Sequence, residues 1–174
     1  DNFGGVLCGC GNEADLKHYG TNQVDYEDRY ELKPNETAND WSDIIAFTDF
    51  IENSSAAVFE SDLGNYIEIN EYISSAALDN LFSNLDSYTE SARNYYIYHN
   101  LTTDKWEWIK WDGNETFGTY GGQAVSDMTT LPINFVGNNR PLLENLFNSQ
   151  LLYDQYKSEL CYLLENYFNS SYMN

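Results

Sequence analysis

Basic residues are scarce in this 174-residue sequence, which has 8 Lys and Arg against 28 Asp and Glu and a net charge of -20. Nucleic-acid backbones and anionic lipid surfaces are also negatively charged, so long-range repulsion disfavours both as partners. We therefore expect neither nucleic acid nor an anionic membrane surface to be the ligand of this protein.

Long apolar runs are missing as well. No stretch approaches the roughly 20 apolar residues that a membrane-spanning helix needs, and the N-terminus lacks the basic and apolar regions of a signal peptide. The sequence predicts no membrane span. Because the chain begins with Asp1 and not with Met, we expect a mature product or a fragment of a longer polypeptide.

Cysteine is limited to Cys8, Cys10 and Cys161, an odd number that cannot pair completely within one chain. Cys8 and Cys10 are too close in sequence to bridge easily with each other. A disulfide from Cys161 to one of these two and a structural role without a disulfide both stay open.

Asn-x-Ser/Thr sequons are frequent, and they predict a glycosylated, secreted protein. A chain this rich in Asn, Ser and Thr also produces sequons by chance, so each is a candidate site and no more. The candidate glycosylation sites are Asn35, Asn53, Asn100, Asn114 and Asn169.

The hydrophobic content of 42% predicts one globular domain over residues 1–174. The helix and strand patterns along the chain predict the α+β class, mainly helical. Residues 1–40 have the least regular pattern, with a short strand that Pro34 halts. From Asp40, apolar residues recur at helical spacing behind an Asn/Asp cap, and Asn53-Ser54-Ser55 ends the run. A second helix, in "NEYISSAALDNLF", is expected to pack against the first. Two more helices are expected near the C-terminus, the first of them opened by Pro141.

A β-hairpin is predicted in "NYYIYHNLTTDKWEWIKW", where two aromatic and β-branched runs flank a polar turn at residues 100–104. The start of the first strand and the end of the second meet at the open end of a hairpin, so Asn94 and Asp112 should be neighbours. Trp106 and Trp108 alternate onto one face, which favours hairpin core over a carbohydrate-stacking surface.

Oxygen-bearing side chains converge at this open end. We expect Asp86, at the end of a buried helix just before the hairpin, to lie beside Asn94 and Asp112. Hard oxygen ligands suit Mg²⁺, which one or two carboxylates hold while water and phosphates complete its shell. An Asp, an Asn and a metal-binding Asp after a hairpin also follow one another in protein kinases.

The run "NLDSYTESARNYYIYHNLTTDKWEWIKWDGNETFG" resembles the spore-coat protein H (CotH) kinase family, whose members carry an N-x-D-S…N-Y-Y…W-D-x-x-x-T-F-G pattern. "YELKPNETANDWSDIIAFTDFIE" and "RPLLENLFNSQLLYDQYKSELCYLLENYF" are similar to further segments of that family. The resemblance covers roughly residues 30 to 168 in a consistent order.

This resemblance implies an atypical protein-kinase-like C-lobe and transfer of phosphate from ATP to Ser/Thr hydroxyls of secreted, cell-surface or spore-coat proteins. Asp86 would be the catalytic aspartate that orients the acceptor hydroxyl. Asn94 and Asp112 would bind Mg²⁺ and ATP, with Asp112 as the principal metal ligand. Asn114 would be a weaker metal ligand, since many family members have a second acidic residue there.

The chain also departs from the family, because little of it could form the N-terminal lobe that covers the nucleotide. We therefore expect a partial domain with the N-terminal lobe largely missing, although Lys17 or Lys33 could approach a phosphate. The alternative is a non-catalytic surface protein, an adhesin or a component of an extracellular assembly, built on the same scaffold and binding surface partners.

Overall fold

The computed structural model describes residues 2–5, 14–33, 39–122 and 130–172, with the backbone alone described for 2–5. Within these ranges the protein is α+β and mostly helical, with one small sheet. In chain order the elements are β1 (Asn2–Gly5), α1 (Val24–Glu27), β2 (Tyr30–Leu32), α2 (Ser42–Asn53), α3 (Ala56–Tyr66), α4 (Ile69–Leu81), β3 (Tyr95–Asn100), β4 (Lys105–Lys110), a 3₁₀ turn (Tyr120–Gly122), α5 (Pro141–Asn148) and α6 (Gln150–Asn166).

Helix α2 lies where the sequence predicts it. Its first turn begins beside Asp40, whose carboxylate accepts a hydrogen bond from the Ser42 backbone N–H at 3.0 Å. Helix α3 follows after two residues and was not predicted. It buries only Phe59 and Leu63, one turn apart, and it contains Gly64, so its apolar periodicity and its helix propensity are both weak.

Helix α4 also lies where predicted, but its predicted packing partner is wrong. It packs mainly against α6 and β4, while α2 packs against α3 and α5. The unpredicted helix α3 separates α2 from α4 in the chain. No helix among the described residues is long and apolar enough to cross a membrane.

The sheet has the strand order β2-β1-β3-β4, and every neighbouring pair is antiparallel. The predicted hairpin is confirmed, with Tyr95 opposite Lys110 at its open end and Asn100 opposite Lys105 at its turn. Trp106 and Trp108 face the core and are buried, as the alternation predicts, whereas Trp111 is exposed.

Aromatic packing fixes the hairpin to the loop before it. The Trp108 ring stacks on the Tyr95 ring with centroids 4.4 Å apart, and Tyr88 contacts Trp108 edge-on at 5.4 Å. Tyr88 belongs to the segment between α4 and β3, which also carries Asp86. Rigid ring contacts therefore position this segment against the open end of the hairpin.

Residues 14–20 form an irregular strap that is buried at its start. Backbone polar groups buried away from water need partners, and tyrosine hydroxyls supply them here. The bonds join Tyr95 Oη to the Ala14 carbonyl (2.6 Å), Tyr88 Oη to the Asp15 carbonyl (3.0 Å) and the Leu16 N–H to Tyr30 Oη (2.8 Å).

These buried hydroxyls predict a loss of stability at alkaline pH. Burial raises the pKa of Tyr30, Tyr88 and Tyr95 above the ordinary value of 10.0. Above about pH 10 the unfolded chain therefore releases protons that the native protein keeps, and the free energy of unfolding falls. Urea unfolding between pH 8 and 11 should show full stability below pH 10 and a progressive loss above it.

Tyr88→Phe provides the specific test. It removes one hydrogen bond, so we expect about 1 kcal/mol less stability at pH 8 and a shallower fall above pH 10. Tyr98→Phe, on the exposed face of the sheet, is the matched control and should behave as the parent. Identical alkaline slopes in all three proteins would contradict the role of Tyr88.

Candidate functional site

The predicted pair of Asp86 and Asn94 is in direct contact. The Asn94 side-chain amide donates one hydrogen bond to Asp86 Oδ2 and another to the Asp86 backbone carbonyl, both at 2.8 Å. Both amide hydrogens are directed at Asp86, which also fixes which end of the amide is nitrogen. The Asn94 carbonyl oxygen, Oδ1, must therefore point away from Asp86.

Asn94 Oδ1 is buried and has no hydrogen-bond partner among the residues that the structure describes. Only 5% of Asn94 is exposed. An unpaired buried acceptor costs about 1–3 kcal/mol. This oxygen is thus a pre-positioned acceptor for a cation or for a donor from outside the described chain.

Asp86 lies in a turn and not at the end of a helix, so that prediction is wrong. Helix α4 ends at Leu81, and the turn that follows includes Ser83 with a positive φ of 48°. The Ser91 hydroxyl donates to Asp86 Oδ1 at 3.0 Å, and Arg93 Nε lies 3.7 Å from the same oxygen. Each carboxylate oxygen of Asp86 therefore has its own donor.

Asp112 lies two residues after the end of the hairpin at Lys110. The Trp111 N–H donates to the Asn94 carbonyl at 3.1 Å, which extends the ladder by one residue beyond Tyr95 and Lys110. The backbone thus places Trp111, the residue before Asp112, opposite Asn94, and the predicted meeting of the Asn94 and Asp112 side chains stays a prediction. The Asp112 side chain is exposed, and its carboxylate accepts a weak bond from the Asn114 N–H at 3.4 Å.

The loop after Asp112 is tied back to the end of α4. The Phe117 N–H donates to the Phe82 carbonyl at 2.6 Å, and the two rings meet edge to face with centroids 5.1 Å apart. The Asn114 side chain is exposed in this loop. The structure thus places Asn114 in the same loop as Asp112, without a contact to Asp86 or Asn94 among the described residues.

Left-handed backbone is concentrated in these two segments. A positive φ costs a non-glycine residue roughly 1–2 kcal/mol, and such strain clusters at functional sites. Besides Ser83, the residues concerned are Ala92 (51°), Asn94 (58°), Asp112 (47°) and Phe117 (58°). Packing around the site must hold this conformation in place.

One such restraint is the buried side chain of Arg140, just before α5. Its guanidinium donates to the Glu90 carbonyl and to the carbonyls of Asn138 (2.6 Å) and Asn139 (3.0 Å). Gly137 lies against the same turn, where a Cβ atom would come within 2.9 Å of the Glu90 Cα. The sequence pattern contains no signal for either residue, because both contact backbone atoms of Glu90, which is distant in the chain.

A second restraint is an ion pair beneath the hairpin end. Lys110, the last residue of β4, pairs with the buried carboxylate of Asp79 on α4. The Asn84 amide donates to Asp79 Oδ1 at 2.8 Å. Burial raises the pKa of Asp79, while Lys110 and Asn84 offset part of that rise. The pair links α4 to the residue two positions before Asp112.

The donor set fits Mg²⁺ better than a softer metal. No group of three or more His, Cys, Asp or Glu side chains suited to a metal occurs in the described ranges. Carboxylate and amide oxygens are nevertheless the ligands that Mg²⁺ accepts when water and phosphates complete its shell. The unpaired Asn94 Oδ1 is the observation that supports such an ion, with Asp112 and Asn114 as the other candidate ligands.

The candidate glycosylation sites differ in their surroundings. Asn53, Asn100 and Asn169 use their side-chain amides in hydrogen bonds, whereas Asn114 is exposed. Asn35 lies outside the described residues, as do Cys8 and Cys10. Cys161 is exposed on α6. Glycosylation and disulfide pairing both stay predictions.

The structure thus defines an α+β protein with an Asp–Asn pair and an exposed Asp at the open end of one hairpin. Residues 2–174 match the family model described as CotH kinase protein, so the chain belongs to the CotH family. This confirms the resemblance seen in the sequence. A search of curated proteins found no match to the chain.

The ion pair beneath the site predicts a pH-dependent difference between the parent and Asp79→Asn. Because the pKa of Asp79 is raised in the native protein, its contribution is fully present below the unfolded-state pKa of about 4. It is lost as the pH rises through the native pKa. The parent should therefore lose stability relative to Asp79→Asn above about pH 4, by about 1.4 kcal/mol per pKa unit of the rise.

Urea unfolding of both proteins between pH 3 and 8 measures this difference. Glu165→Gln, an exposed change of the same charge on α6, should show no such trend. Lys110→Met should make the pH dependence steeper, because the offset from its ammonium group is gone. A parent-to-Asp79→Asn difference that does not vary with pH would count against the raised pKa.

Proposed function

We propose that this chain carries the catalytic part of a Mg²⁺-dependent, ATP-using protein kinase domain of the CotH type. The observation that carries the proposal is the Asn94 amide, which holds Asp86 with both hydrogens and leaves a buried oxygen unpaired. Membership of the CotH family supports the same activity. Such a kinase would phosphorylate Ser/Thr hydroxyls of secreted or surface proteins.

The order of elements supports a protein-kinase-like C-lobe. Helix α4 leads into the turn with Asp86, and Asn94 stands directly before the hairpin. Trp111 pairs with Asn94 through its backbone N–H, and Asp112 is the next residue. Protein kinases present a catalytic Asp, an Asn and a metal-binding Asp in this order. We expect an N-terminal lobe, largely missing from residues 1–174, to cover the nucleotide.

In this proposal Asp86 orients the acceptor hydroxyl and takes up its proton. Ser91 and Asn94 hold its two carboxylate oxygens, so the group is fixed before the acceptor arrives. Pre-orientation of this kind lowers the barrier, because the entropy of positioning is lost during folding and not during the reaction. The side chain of Asp86 keeps 15% exposure, which leaves one edge accessible to an acceptor.

Asn94, Asp112 and Asn114 are the residues that would hold Mg²⁺. When bound, the ion neutralises phosphate charge and fixes the position of the transferred group. Asp112 is the one of the three with a formal charge and is therefore the principal ligand. Asn114 contributes a neutral oxygen and a correspondingly weaker interaction.

The metal site predicts Mg²⁺-dependent nucleotide binding. Calorimetry with a non-hydrolysable ATP analogue takes as the parent the longest native polypeptide that contains residues 1–174, so that an N-terminal lobe is included. The parent should bind the analogue in Mg²⁺ and bind it at least tenfold more weakly in EDTA. Asp112→Ala should abolish the effect of Mg²⁺. Asp104→Ala is the matched control, since Asp104 is also exposed and left-handed, with a φ of 56°, but lies at the turn end of the hairpin.

We expect Asp104→Ala to bind the analogue as the parent does. A folded parent that binds no nucleotide, or an Asp112→Ala protein with undiminished Mg²⁺-dependent binding, would refute the proposed site. Circular dichroism of each variant separates loss of binding from loss of folding.

A non-catalytic surface protein on the same scaffold is the second candidate. The exposed side chain of Asn114, within a sequon and beside Asp112, is the observation that favours it. A glycan at Asn114 would fill the space beside Asp112 that nucleotide and metal need.

The two candidates predict different masses for the peptide that contains Asn114 in protein from its native source. The kinase proposal predicts an unmodified peptide. The glycosylated mass at high occupancy would support the surface protein instead. Treatment with a peptide N-glycosidase in ¹⁸O water provides the control, because it marks only the Asn residues that carried a glycan.

A further inference from the structure

Arg93 is a basic residue beside Asp86, and the proposed function does not yet assign it a role. It lies in the turn between Ser91 and Asn94, and its Nε is 3.7 Å from Asp86 Oδ1. That oxygen already accepts a hydrogen bond from Ser91. The contact with Arg93 is therefore an ion pair without a short hydrogen bond, which holds the guanidinium near Asp86 and leaves its donors unused.

The free end of Arg93 is available to a ligand. Its guanidinium donates no hydrogen bond to any other residue in the ranges that the structure describes, and 29% of the side chain is exposed. A guanidinium presents five donors in a planar fork that matches phosphate oxygens. Arg93 therefore offers this fork within a few ångströms of Asp86.

Most of the other basic side chains in the described ranges are engaged elsewhere. The lysine pairs are Lys33 with Glu31, Lys105 with Glu68, Lys110 with Asp79 and Lys157 with Asp154. Arg140 donates to backbone carbonyls. Lys33, which the sequence suggested as a phosphate ligand, is thus less suitable than Arg93.

Net charge favours a basic side chain at the site in addition to the proposed metal ion. With a net charge of -20, the protein as a whole repels a triphosphate. Asp86 and Asp112 add negative charge where the phosphoryl group would have to come. A guanidinium beside Asp86 offsets this repulsion at the point where charge develops during transfer.

We propose that Arg93 is a catalytic residue that binds the oxygens of the phosphoryl group while it passes from ATP to the acceptor. This inference rests on the proposed kinase function. In the step, the acceptor oxygen forms a bond to the γ-phosphorus and its proton goes to Asp86. The bond from that phosphorus to the bridging oxygen breaks, and this oxygen leaves with the electron pair as part of ADP.

Arg93→Met and Arg93→Lys test this role in the full chain. The probe is phosphate transfer from ATP and Mg²⁺ to a synthetic Ser-containing peptide with flanking lysines, chosen to complement the acidic protein. Removal of one group that stabilises transition-state charge lowers kcat by about 10²–10³-fold. We expect this loss in Arg93→Met, with a KM for ATP within about threefold of the parent value.

Arg93→Lys keeps the charge without the fork and should retain kcat within about tenfold of the parent. Lys105→Met, the same change of charge at the opposite end of the hairpin, should match the parent. Parental kcat in Arg93→Met, or an effect confined to KM, would overturn the proposal. Equal losses in Arg93→Met and Arg93→Lys with a lowered thermal midpoint would show a structural role instead.

Nucleotide binding distinguishes failure of the proposed Arg93 role from failure of the proposed kinase function. A parent that binds the ATP analogue with Mg²⁺ and transfers phosphate, together with an Arg93→Met protein that does so equally fast, removes the role of Arg93 and leaves the kinase function standing. A folded parent that neither binds the analogue nor transfers phosphate removes both.

Discussion

The two hydrogen bonds from the Asn94 amide to Asp86 are the interaction on which the candidate site depends. They consume both amide hydrogens, and so they orient the carboxylate and the amide oxygen at the same time. One residue thereby fixes the Asp86 carboxylate and leaves its own buried oxygen unpaired among the described residues. In the proposed site, the cost of about 1–3 kcal/mol for an unpaired buried acceptor is recovered when that oxygen binds its ligand.

The rest of the structure holds that pair in a strained conformation. Trp108 stacked on Tyr95 fixes the hairpin, Arg140 fixes the carbonyl of Glu90 in the turn, and Lys110 ties the strand end to Asp79 on α4. None of these residues donates a hydrogen bond to the unpaired Asn94 oxygen. They act by making the left-handed backbone around it the lowest-energy arrangement, as is usual where strain persists in a folded protein.

The sequence predicted the parts of the fold with strong periodicity. The hairpin and its open end followed from alternating aromatic residues, and α2, α4, α5 and α6 followed from apolar spacing. Helix α3 did not, because two buried residues and a glycine leave little pattern. The order of the motifs predicted that Asp86 and Asn94 belong to the site. The contacts of Ser91 and Arg93 with Asp86 depend on side-chain directions, which spacing along the sequence does not encode.

A crystal structure with Mn²⁺ and a non-hydrolysable ATP analogue is the most direct test of the central claim that Asn94 and Asp112 form a metal site beside Asp86. Mn²⁺ replaces Mg²⁺ at oxygen ligands and is located by its anomalous scattering. We expect one peak at coordination distance from both Asn94 Oδ1 and the Asp112 carboxylate, with the γ-phosphate facing Asp86. A bound nucleotide with the metal elsewhere, and Asn94 Oδ1 still without a ligand, would contradict the claim.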